Sequence, residues 1–474
     1  MKKKIFSLIM ALTAVMCAAV AAHAQDKSFG NSINAVFFGG SITQGAGASS
    51  EKMNYVSLVG EYLKSAFSEK DVTIINAGIP GTDSKYGWYR LENDIISNNP
   101  DIVFIEFSVN DHYNDTKGTN TEARSKMKGY MESVIRRLAA LPDAPAVVFV
   151  NTTDNAINTG DDVSFANVYA ELCEAYGIKA VDIEGAVREA GYVTAANAEN
   201  TILVDGTHPN DKGYKIYADK IISDLSNGGM YLVPSSSADW VSSEKYRVTG
   251  TPRVINYADM TFNGDWEDNA VYKGAYTAEL KMSTKAGDSV SMDFYGSTFC
   301  LGMRCNQFGG NYSLEIDGNL IGKFSTYNAG TWPMEFPRGT VTGLDANKKH
   351  TAKITVLGTH EGASSDSNVI IFRAFCDDGK LDGKLVIGKS ALSNSIASAS
   401  LYNKTDEDIN ADAIFAQYDS NGVLIGTVRT NTLLDSREYT TVANTVAADS
   451  DRVYAFVWKN GSALEPICKK ISIK

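Results

Sequence analysis

The chain has 474 residues, which is too long for one ordinary hydrophobic core and predicts about two to four domains. Its formal net charge of −12 argues against binding to nucleic acid or anionic lipid, because phosphate contact needs concentrated positive charge. Six sparse cysteines do not make a disulfide framework, and no pair of them has the spacing of a zinc site. Cys300, Cys305 and Cys376 leave room for one disulfide.

Residues 1–24 have the layout of a cleavable secretion signal. A lysine-rich start is followed by an apolar stretch and an Ala-His-Ala end. The apolar stretch is shorter than the ~20 residues that a membrane-spanning helix needs, and no later segment qualifies, so we expect no membrane span. The sequence therefore predicts a mature chain that begins near Gln25 and is secreted or held at the cell surface.

From about residue 34 to 227, short β-branched runs alternate with longer amphipathic segments. The runs are INAVFF, VTIIN, DIVFIEF, AVVFVN and KAVDI. Each is continuously apolar, as expected for a strand that is covered on both faces. Helices are predicted at about 54–67, 86–97, 122–141, 164–176 and 211–225. This order predicts a parallel sheet between two helix layers, in an α/β domain at 25–232.

Beyond residue 235 the pattern changes to short strands separated by glycine and asparagine. The runs SVSMDFYGSTFCLGM, NYSLEIDGNLIGKF and HTAKITVLGTH predict strands, with Asp317-Gly318 as a hairpin turn. A polar linker, DDGKLDGKL, precedes further strand-like runs with a second turn at Asn421-Gly422. We predict two β-sandwich domains, at 236–380 and 384–474.

Four motifs follow predicted strands of the α/β domain, where ligands gather in parallel sheets. Gly-Gly-Ser follows AVFF, and its glycines permit a tight turn that leaves the Ser41 hydroxyl exposed. NAGIPGT follows VTII and carries Gly81, whose backbone N–H can approach a ligand. SVND follows DIVFIEF and carries Asn110. VDGTHPN brings Asp205 and His208 to the start of the last helix.

A serine hydroxyl is a poor nucleophile at its normal pKa and needs a base, which is in turn oriented by an acid. The histidines that follow the signal are His112, His208, His350 and His360. Only His208 has an acidic residue three positions earlier, so we predict Ser41 as nucleophile, His208 as base and Asp205 as its orienting acid.

Such a triad also needs donors for the oxyanion that forms during acyl transfer. The backbone N–H groups of Ser41 and Gly81 and the side-chain amide of Asn110 are the predicted donors. No metal and no organic cofactor is required by this chemistry.

The four motifs resemble the blocks of the SGNH hydrolases, also called GDSL esterases, over residues 33–227. The resemblance implies a flavodoxin-like three-layer α/β/α fold. FFGGSIT implies Ser41 as the nucleophile, NAGIPGT and SVND imply Gly81 and Asn110 as oxyanion donors, and DGTHPN implies Asp205 and His208.

The chain departs from the family at one position. The familiar Gly-Asp-Ser is Gly-Gly-Ser here, with Gly40 in the place of the aspartate. The aspartate is not a member of the triad, so the departure does not affect the expectation of activity. The Gly-Gly-Ser-Ile-Thr form is more similar to the family's carbohydrate-directed deacetylases than to its lipases.

The resemblance thus implies a secreted serine esterase that removes O-acetyl groups from acetylated polysaccharide or oligosaccharide. Two alternatives stay open. One is a general short-acyl esterase or lysophospholipase on the same triad, and the other is a carbohydrate-binding surface protein with an inactive hydrolase domain. The sandwiches resemble jelly-roll accessory modules and immunoglobulin-like or fibronectin-like spacers, by fold-level analogy alone.

Further side chains are candidates for binding the sugar. Tyr86, Trp88 and Arg90 follow the glycine motif and either form a sugar platform or pack in the core, of which core packing is the favoured interpretation. His112, just past Asn110, is a candidate for lining the acyl or sugar site. In the first sandwich, the aromatic side chains of Trp266, Tyr327 and Trp332 either stack on sugar rings or fill the core.

Overall fold

The structure is a computed structural model. It describes residues 25–114, 120–141, 143–153, 166–191, 201–248, 252–256, 259–268, 280–329, 334–345, 348–361, 364–377, 385–393, 395–403, 407–435, 439–448, 450–460, 467 and 471–473. The predicted secretion signal, Trp332 and Cys468 lie outside the described residues.

A parallel sheet forms the centre of the α/β part. The strands here are β1 (Gln25–Asp26), β2 (Ser32–Gly39), β3 (Asp71–Gly78), β4 (Ile102–Glu106), β5 (Ala146–Asn151), β6 (Lys179–Asp182) and β7 (Leu232–Val233). In the described residues the parallel sheet has the order β3-β2-β4-β5-β6, and β1 pairs separately with β7. This is the flavodoxin-like order, so the predicted α/β/α fold is confirmed.

Helices cover both faces of that sheet. They are α1 (Ser41–Gln44), α2 (Tyr55–Ala66), α3 (Ser84–Arg90), α4 (Ser108–Asn114), α5 (Thr121–Ala139), α6 (Ala166–Tyr176), α7 (Ile183–Glu189) and α8 (Asp211–Ser226). Along β2, Val36 and Phe38 pack towards α3, α5 and α6, whereas Ala35 and Phe37 pack towards α2 and α8. Alternate side chains of one strand thus enter two separate cores, which explains why the strand is apolar throughout.

The sequence pattern does not predict α1, α4 or α7. Each has only four to seven residues, which is too short for a hydrophobic period to appear. The helix predicted at 86–97 begins at Ser84, and after Arg90 it continues as a π-helical turn (Leu91–Ile95) and a 3₁₀ turn (Ile96–Asn98).

The rest of the described chain is mainly antiparallel β-structure. The first group of strands is β8 (Arg253–Asn256), β9 (Thr261–Asn263), β10 (Glu267–Asp268), β11 (Lys281–Ser283), β12 (Ser289–Phe294), β13 (Thr298–Cys305), β14 (Asn311–Ile316), β15 (Asn319–Ser325), β16 (Met334–Thr342), β17 (His350–Val356) and β18 (Val369–Cys376). One sheet has the order β10-β11-β18-β13-β16, with β8 also on β18, and the other has the order β15-β14-β17-β12-β9. The turn predicted between β14 and β15 forms, with positive φ at both Asp317 and Gly318.

A second, smaller group of strands follows. It contains β19 (Leu385–Ser393), β20 (Ile396–Asn403), β21 (Ile409–Tyr418), β22 (Leu424–Leu434), β23 (Tyr439–Thr445), β24 (Arg452–Lys459) and β25 (Ile471–Ser472). The sheets are β19-β20-β23 and β22-β21-β24-β25, around a core of their own. Two β-sandwiches therefore follow the α/β part, as expected, while the exact domain boundaries stay predictions.

The described cysteines are buried thiols. Cys173, Cys300, Cys305 and Cys376 are thiols outside any disulfide, so the disulfide that the sequence allowed among the last three does not form. Among the described residues, no helix is long and apolar enough to cross a membrane.

Candidate active site

Ser41 is the first residue of α1, directly beyond the end of β2. Gly40 occupies the N-cap position, and the chain leaves this short helix at Gly45 with φ of 103°. Ser41 is 9% exposed, so only a small part of the residue reaches solvent. The Gly-Gly-Ser motif therefore forms the predicted strand-to-helix turn.

His208 lies between the two other predicted members of the triad, Ser41 and Asp205. Its Nε2 lies 2.8 Å from Ser41 Oγ, and its Nδ1 lies 2.7 Å from Asp205 Oδ2. The second oxygen, Asp205 Oδ1, accepts hydrogen bonds from the backbone N–H groups of Thr207 and His208. The carboxylate is thus fixed at both oxygens, and it orients the imidazole towards the serine.

The pKa of Asp205 suits that arrangement. Partial burial raises the pKa, but hydrogen bonds from the ring and backbone of His208 outweigh it, so that the pKa lies below its usual value. Asp205 is accordingly ionised at neutral pH and can stabilise a protonated imidazole.

The loops after β3 and β4 carry the predicted oxyanion donors. Gly81 has φ of 75°, a conformation that favours glycine. The Asn110 amide donates to the backbone oxygen of Thr82 at 2.6 Å, which ties these two loops together. A Cβ built on Gly40 would lie only 2.4 Å from Asn110 Nδ2, so the amide rests directly against the residue before Ser41.

The comparisons with known proteins identify this domain. Residues 37–216 match the model of the GDSL-like lipase/acylhydrolase family. Over these residues the chain is similar to that family. Since acylhydrolases cleave carboxylic esters, the protein is a carboxylic ester hydrolase, and the predicted resemblance is confirmed.

Several solved structures are similar to the chain. A two-domain esterase (CEX) active on acetylated mannans has 23% sequence identity and a TM-score of 0.54, over 78% of this chain and 95% of that one. The same esterase co-crystallized with mannopentaose gives 23% and 0.55, over 77% and 95%. The acetyl xylan esterase AlAXEase has 27% identity and a TM-score of 0.33, over 41% and 100%. None of the curated proteins compared with the chain matches it.

Glu106, at the end of β4, is a residue of the acylhydrolase domain that the motifs do not predict. Its buried carboxylate accepts hydrogen bonds from the hydroxyls of Thr43 and Thr152. Thr43 lies in α1 and also contacts the hydroxyl of Tyr55 at 2.8 Å. Burial raises the pKa of Glu106, against the opposing hydrogen bonds. An acid inside the otherwise apolar run IVFIEF is the sequence signal for such a group, because a buried carboxyl needs partners.

Asp111, next to Asn110, is a second buried acid that the motifs do not explain. One oxygen accepts from the backbone N–H of Ser84 and the other from the hydroxyl of Tyr169, both at 2.8 Å. Burial and the neighbouring Asp83 raise the pKa of Asp111 to about 8. Asp111 thus joins α4, which carries Asn110, to the start of α3.

Three of the sugar-binding candidates cannot form a platform on the surface. Tyr86 and Arg90 are 0% exposed and Trp88 is 2% exposed, so the interpretation as a sugar platform is wrong and that of core packing holds. Tyr86 packs edge-on against Phe375 of β18. His112 is also buried, at 1% exposed, and its role at the acyl or sugar site stays a prediction.

In the first sandwich, Trp266 packs against the core and donates to backbone oxygens. Within the described part of the chain, no group of three or more His, Cys, Asp or Glu side chains is placed to hold a metal ion.

Proposed function

We propose that the protein is a carbohydrate O-deacetylase that releases acetate through an acyl-enzyme on Ser41. The observation that carries the proposal is the continuous line of hydrogen bonds from Ser41 Oγ through His208 to Asp205, at 2.8 and 2.7 Å. This is the arrangement that turns a serine hydroxyl into a nucleophile.

In the first step, Ser41 Oγ attacks the carbonyl carbon of the acetyl ester while His208 Nε2 takes the hydroxyl proton. The resulting oxyanion is stabilised by the Ser41 and Gly81 backbone N–H groups and the Asn110 amide. Collapse of this intermediate breaks the bond to the sugar oxygen, which receives the proton from His208. The products are a free sugar hydroxyl and acetylated Ser41.

In the second step, His208 takes a proton from water, and the oxygen of that water attacks the acetyl carbonyl. A second oxyanion forms in the same place and collapses. The bond to Ser41 Oγ breaks, acetate leaves, and His208 returns the proton to the serine. Asp205 keeps its negative charge throughout and stabilises the imidazolium that forms in both steps.

A short acyl group fits the surroundings of Ser41 better than a fatty acyl chain does. In the described residues between 25 and 233, the exposed large hydrophobic side chains are Tyr113 and Val204 alone. A long acyl chain needs a continuous apolar surface, which these two do not supply. The solved mannan esterase, which acts on acetylated mannans, supports acetylated carbohydrate as the substrate class.

Export is part of the proposal. Residues 1–24 have the pattern of a secretion signal, and a polysaccharide substrate would lie outside the cell. The N-terminal sequence of the protein recovered from its producing cell, read by mass spectrometry, tests export directly. A mature chain that starts near Gln25 supports it, and a retained Met1 contradicts it.

Acetate release tests the function. The purified protein, the Ser41→Ala variant and the control Ser226→Ala, an exposed serine at the far end of α8, are compared on acetylated mannan, acetylated xylan and a small aryl acetate. We expect release from a polysaccharide that Ser41→Ala abolishes and Ser226→Ala preserves. Activity on the aryl acetate alone would favour a general short-acyl esterase. No release that depends on Ser41 would favour a carbohydrate-binding protein with an inactive hydrolase domain.

A further inference from the structure

Arg90, which does not reach the surface, binds backbone oxygens at the ends of two strands. Its Nη1 donates to the oxygen of Ala77 at 2.8 Å, and its Nη2 donates to the oxygen of Gly39 at 2.9 Å. The guanidinium also lies over the ring of Phe38, with its central carbon 4.5 Å from the ring centroid. One rigid, planar cation therefore bridges the carboxyl ends of β2 and β3.

Those two oxygens lie just before two of the proposed oxyanion donors. Gly39 precedes Ser41 by two residues and Ala77 precedes Gly81 by four. The backbone N–H of Ile79 also donates to the Gly39 oxygen, at 2.9 Å. The guanidinium thus fixes the spacing of the two loops that carry these backbone donors.

Asp94 holds Arg90 from the other side and is itself held by the first sandwich. Its carboxylate contacts Arg90 Nη1 at 3.2 Å and both terminal nitrogens of Arg373, from β18, at 3.1 and 3.2 Å. The side chains of Arg90, Asp94 and Arg373 are 0%, 12% and 5% exposed. Burial raises the pKa of Asp94, but the two guanidinium groups outweigh it and hold the pKa at about 2.

Contacts between α3 and the first sandwich surround the side chains of Arg90, Asp94 and Arg373. The ring of Phe375, also on β18, packs against Tyr86 and Tyr89 of α3 at centroid distances of 5.1 and 5.6 Å. At the start of the same helix, Lys85 Nζ donates to the hydroxyl of Thr340 on β16 at 3.0 Å. The sheet of the first sandwich that contains β16 and β18 therefore lies along α3.

We propose that Arg90 is a positioning residue for the oxyanion hole, and that Arg373 of the first sandwich acts through Asp94 to hold it in place. The accessory sandwich is then part of the machinery that sets the rate of ester cleavage. This inference rests on the proposed function, because it concerns the same site.

Substitution of Arg373 is expected to change kcat rather than KM. A shift in the two loops displaces donors from the position of the oxyanion, which exists only in the transition state and the tetrahedral intermediate. The ground-state ester does not depend on those donors to the same degree. Loss of Arg373 therefore lowers kcat and leaves KM nearly unchanged, since small displacements of catalytic groups are costly.

The test uses the full chain with Arg373→Met, Arg373→Lys and Arg90→Lys. The control is Arg429→Met, which removes another Arg–Asp pair, from the exposed Arg429 to Asp412 at 2.6 Å, in the C-terminal sandwich. We measure kcat and KM for an aryl acetate well below the melting temperature, and the thermal unfolding of each variant. We expect kcat to fall about tenfold for Arg373→Met, less for Arg373→Lys and about a hundredfold for Arg90→Lys.

The kinetic and unfolding data together distinguish a positioning role of Arg90 and Arg373 from a role in stability alone. KM stays within about twofold and Arg429→Met matches the wild type if the proposal holds. A folded Arg373→Met variant with wild-type kcat and only a lower melting temperature would show that the network serves stability alone. If Arg90→Lys fails to fold, the two Arg373 variants still decide. A wild type without Ser41-dependent hydrolysis would instead contradict the proposed function.

Discussion

The missing side chain at Gly40 leaves room for the amide of Asn110. We predict that Gly40→Ala pushes that amide away, because the new Cβ would lie 2.4 Å from Asn110 Nδ2. The expected result is a fall in kcat of about tenfold or more, through loss of one oxyanion donor, with KM little changed.

Steady-state kinetics on an aryl acetate provide the measurement. Gly30→Ala is the matched control, because a Cβ at Gly30 meets no atom within 4 Å. If Gly40→Ala retains the wild-type kcat while its unfolding is also unchanged, the amide of Asn110 is not held in the way described.

The buried carboxyl of Asp111 makes folding stability depend on pH. Its pKa is about 8 in the folded protein and about 4 in an unfolded chain, so between these values the folded state keeps a proton that the unfolded state has lost. Folding stability therefore falls as pH rises from about 4 to about 8. Asp111→Asn removes this dependence, and its melting temperature should improve relative to the wild type as pH is raised from 5 to 8.

Scanning calorimetry across that pH range measures the effect. The difference in melting temperature between Asp111→Asn and wild type should grow with pH. A difference that is the same at every pH would show that Asp111 titrates normally or is ionised in the folded protein.

The sequence predicts the position of a site residue where a short motif places a reactive side chain directly after a strand. Ser41, Asp205 and His208 lie where that reasoning predicts, because a local Asp-x-x-His turn fixes two of them together. The partners of Glu106 and Arg90 were not predictable, since they come from several distant loops and from backbone oxygens.

At the scale of elements, the start of α8 positions the loop that carries Asp205 and His208. Asn210 caps this helix by accepting from the N–H of Gly213, and its amide donates to the oxygen of Thr201. We predict that Asn210→Ala costs about 1 kcal/mol of stability and also lowers kcat, because the loop before the helix loses an anchor.

The comparison variant is Asn120→Ala, which removes the equivalent cap of α5 through the N–H of Ala123. Thermal unfolding and aryl acetate kinetics are measured for both variants. Asn120→Ala should lose similar stability and keep its kcat. Equal kcat values in all three proteins would show that the cap of α8 has no influence on the triad.

The long elements followed from the sequence because each has a clear physical period. Both faces of β2, β4 and β5 are covered, and their continuous apolar runs show this directly. The turn at Asp317-Gly318 was predictable because it requires positive φ at two positions. The π-helical turn after Arg90 was not predictable, since no hydrophobic period marks it and Asp94 within it is bound by Arg373 from a distant part of the chain.

One hydrophobic core extends from the α/β domain into the first sandwich. Cys300 and Phe375 of the sandwich belong to the same hydrophobic cluster as α3 and α5. We predict that Phe375→Leu lowers the temperature at which esterase activity is lost, because it removes ring contacts with Tyr86 and Tyr89 worth about 0.5–1.5 kcal/mol each.

Phe415→Leu is the matched control, at a buried position in the separate core of the C-terminal sandwich. Residual activity is measured after incubation at increasing temperatures. Phe415→Leu should leave the inactivation temperature unchanged. An equal effect of both variants would mean that all three domains unfold together, and no effect of either would mean that the α/β domain is independent.

The sequence predicted the three domains in order but not how they contact one another. Composition and turn residues distinguish an α/β segment from β-sandwiches, because strand length and period differ between them. The ion pair between Asp94 and Arg373 joins two domains, and neither segment of sequence predicts it by itself. Such contacts become visible only when distant parts of the chain are placed together.

Ser41 is proposed to be a nucleophile that His208 and Asp205 activate. Labelling with a fluorophosphonate, followed by peptide mapping of the modified residue, tests it most directly. We predict a single label on Ser41, abolished in Ser41→Ala and strongly slowed in His208→Ala. Label on another serine, or equal labelling of Ser41→Ala, would show that Ser41 is not the activated nucleophile.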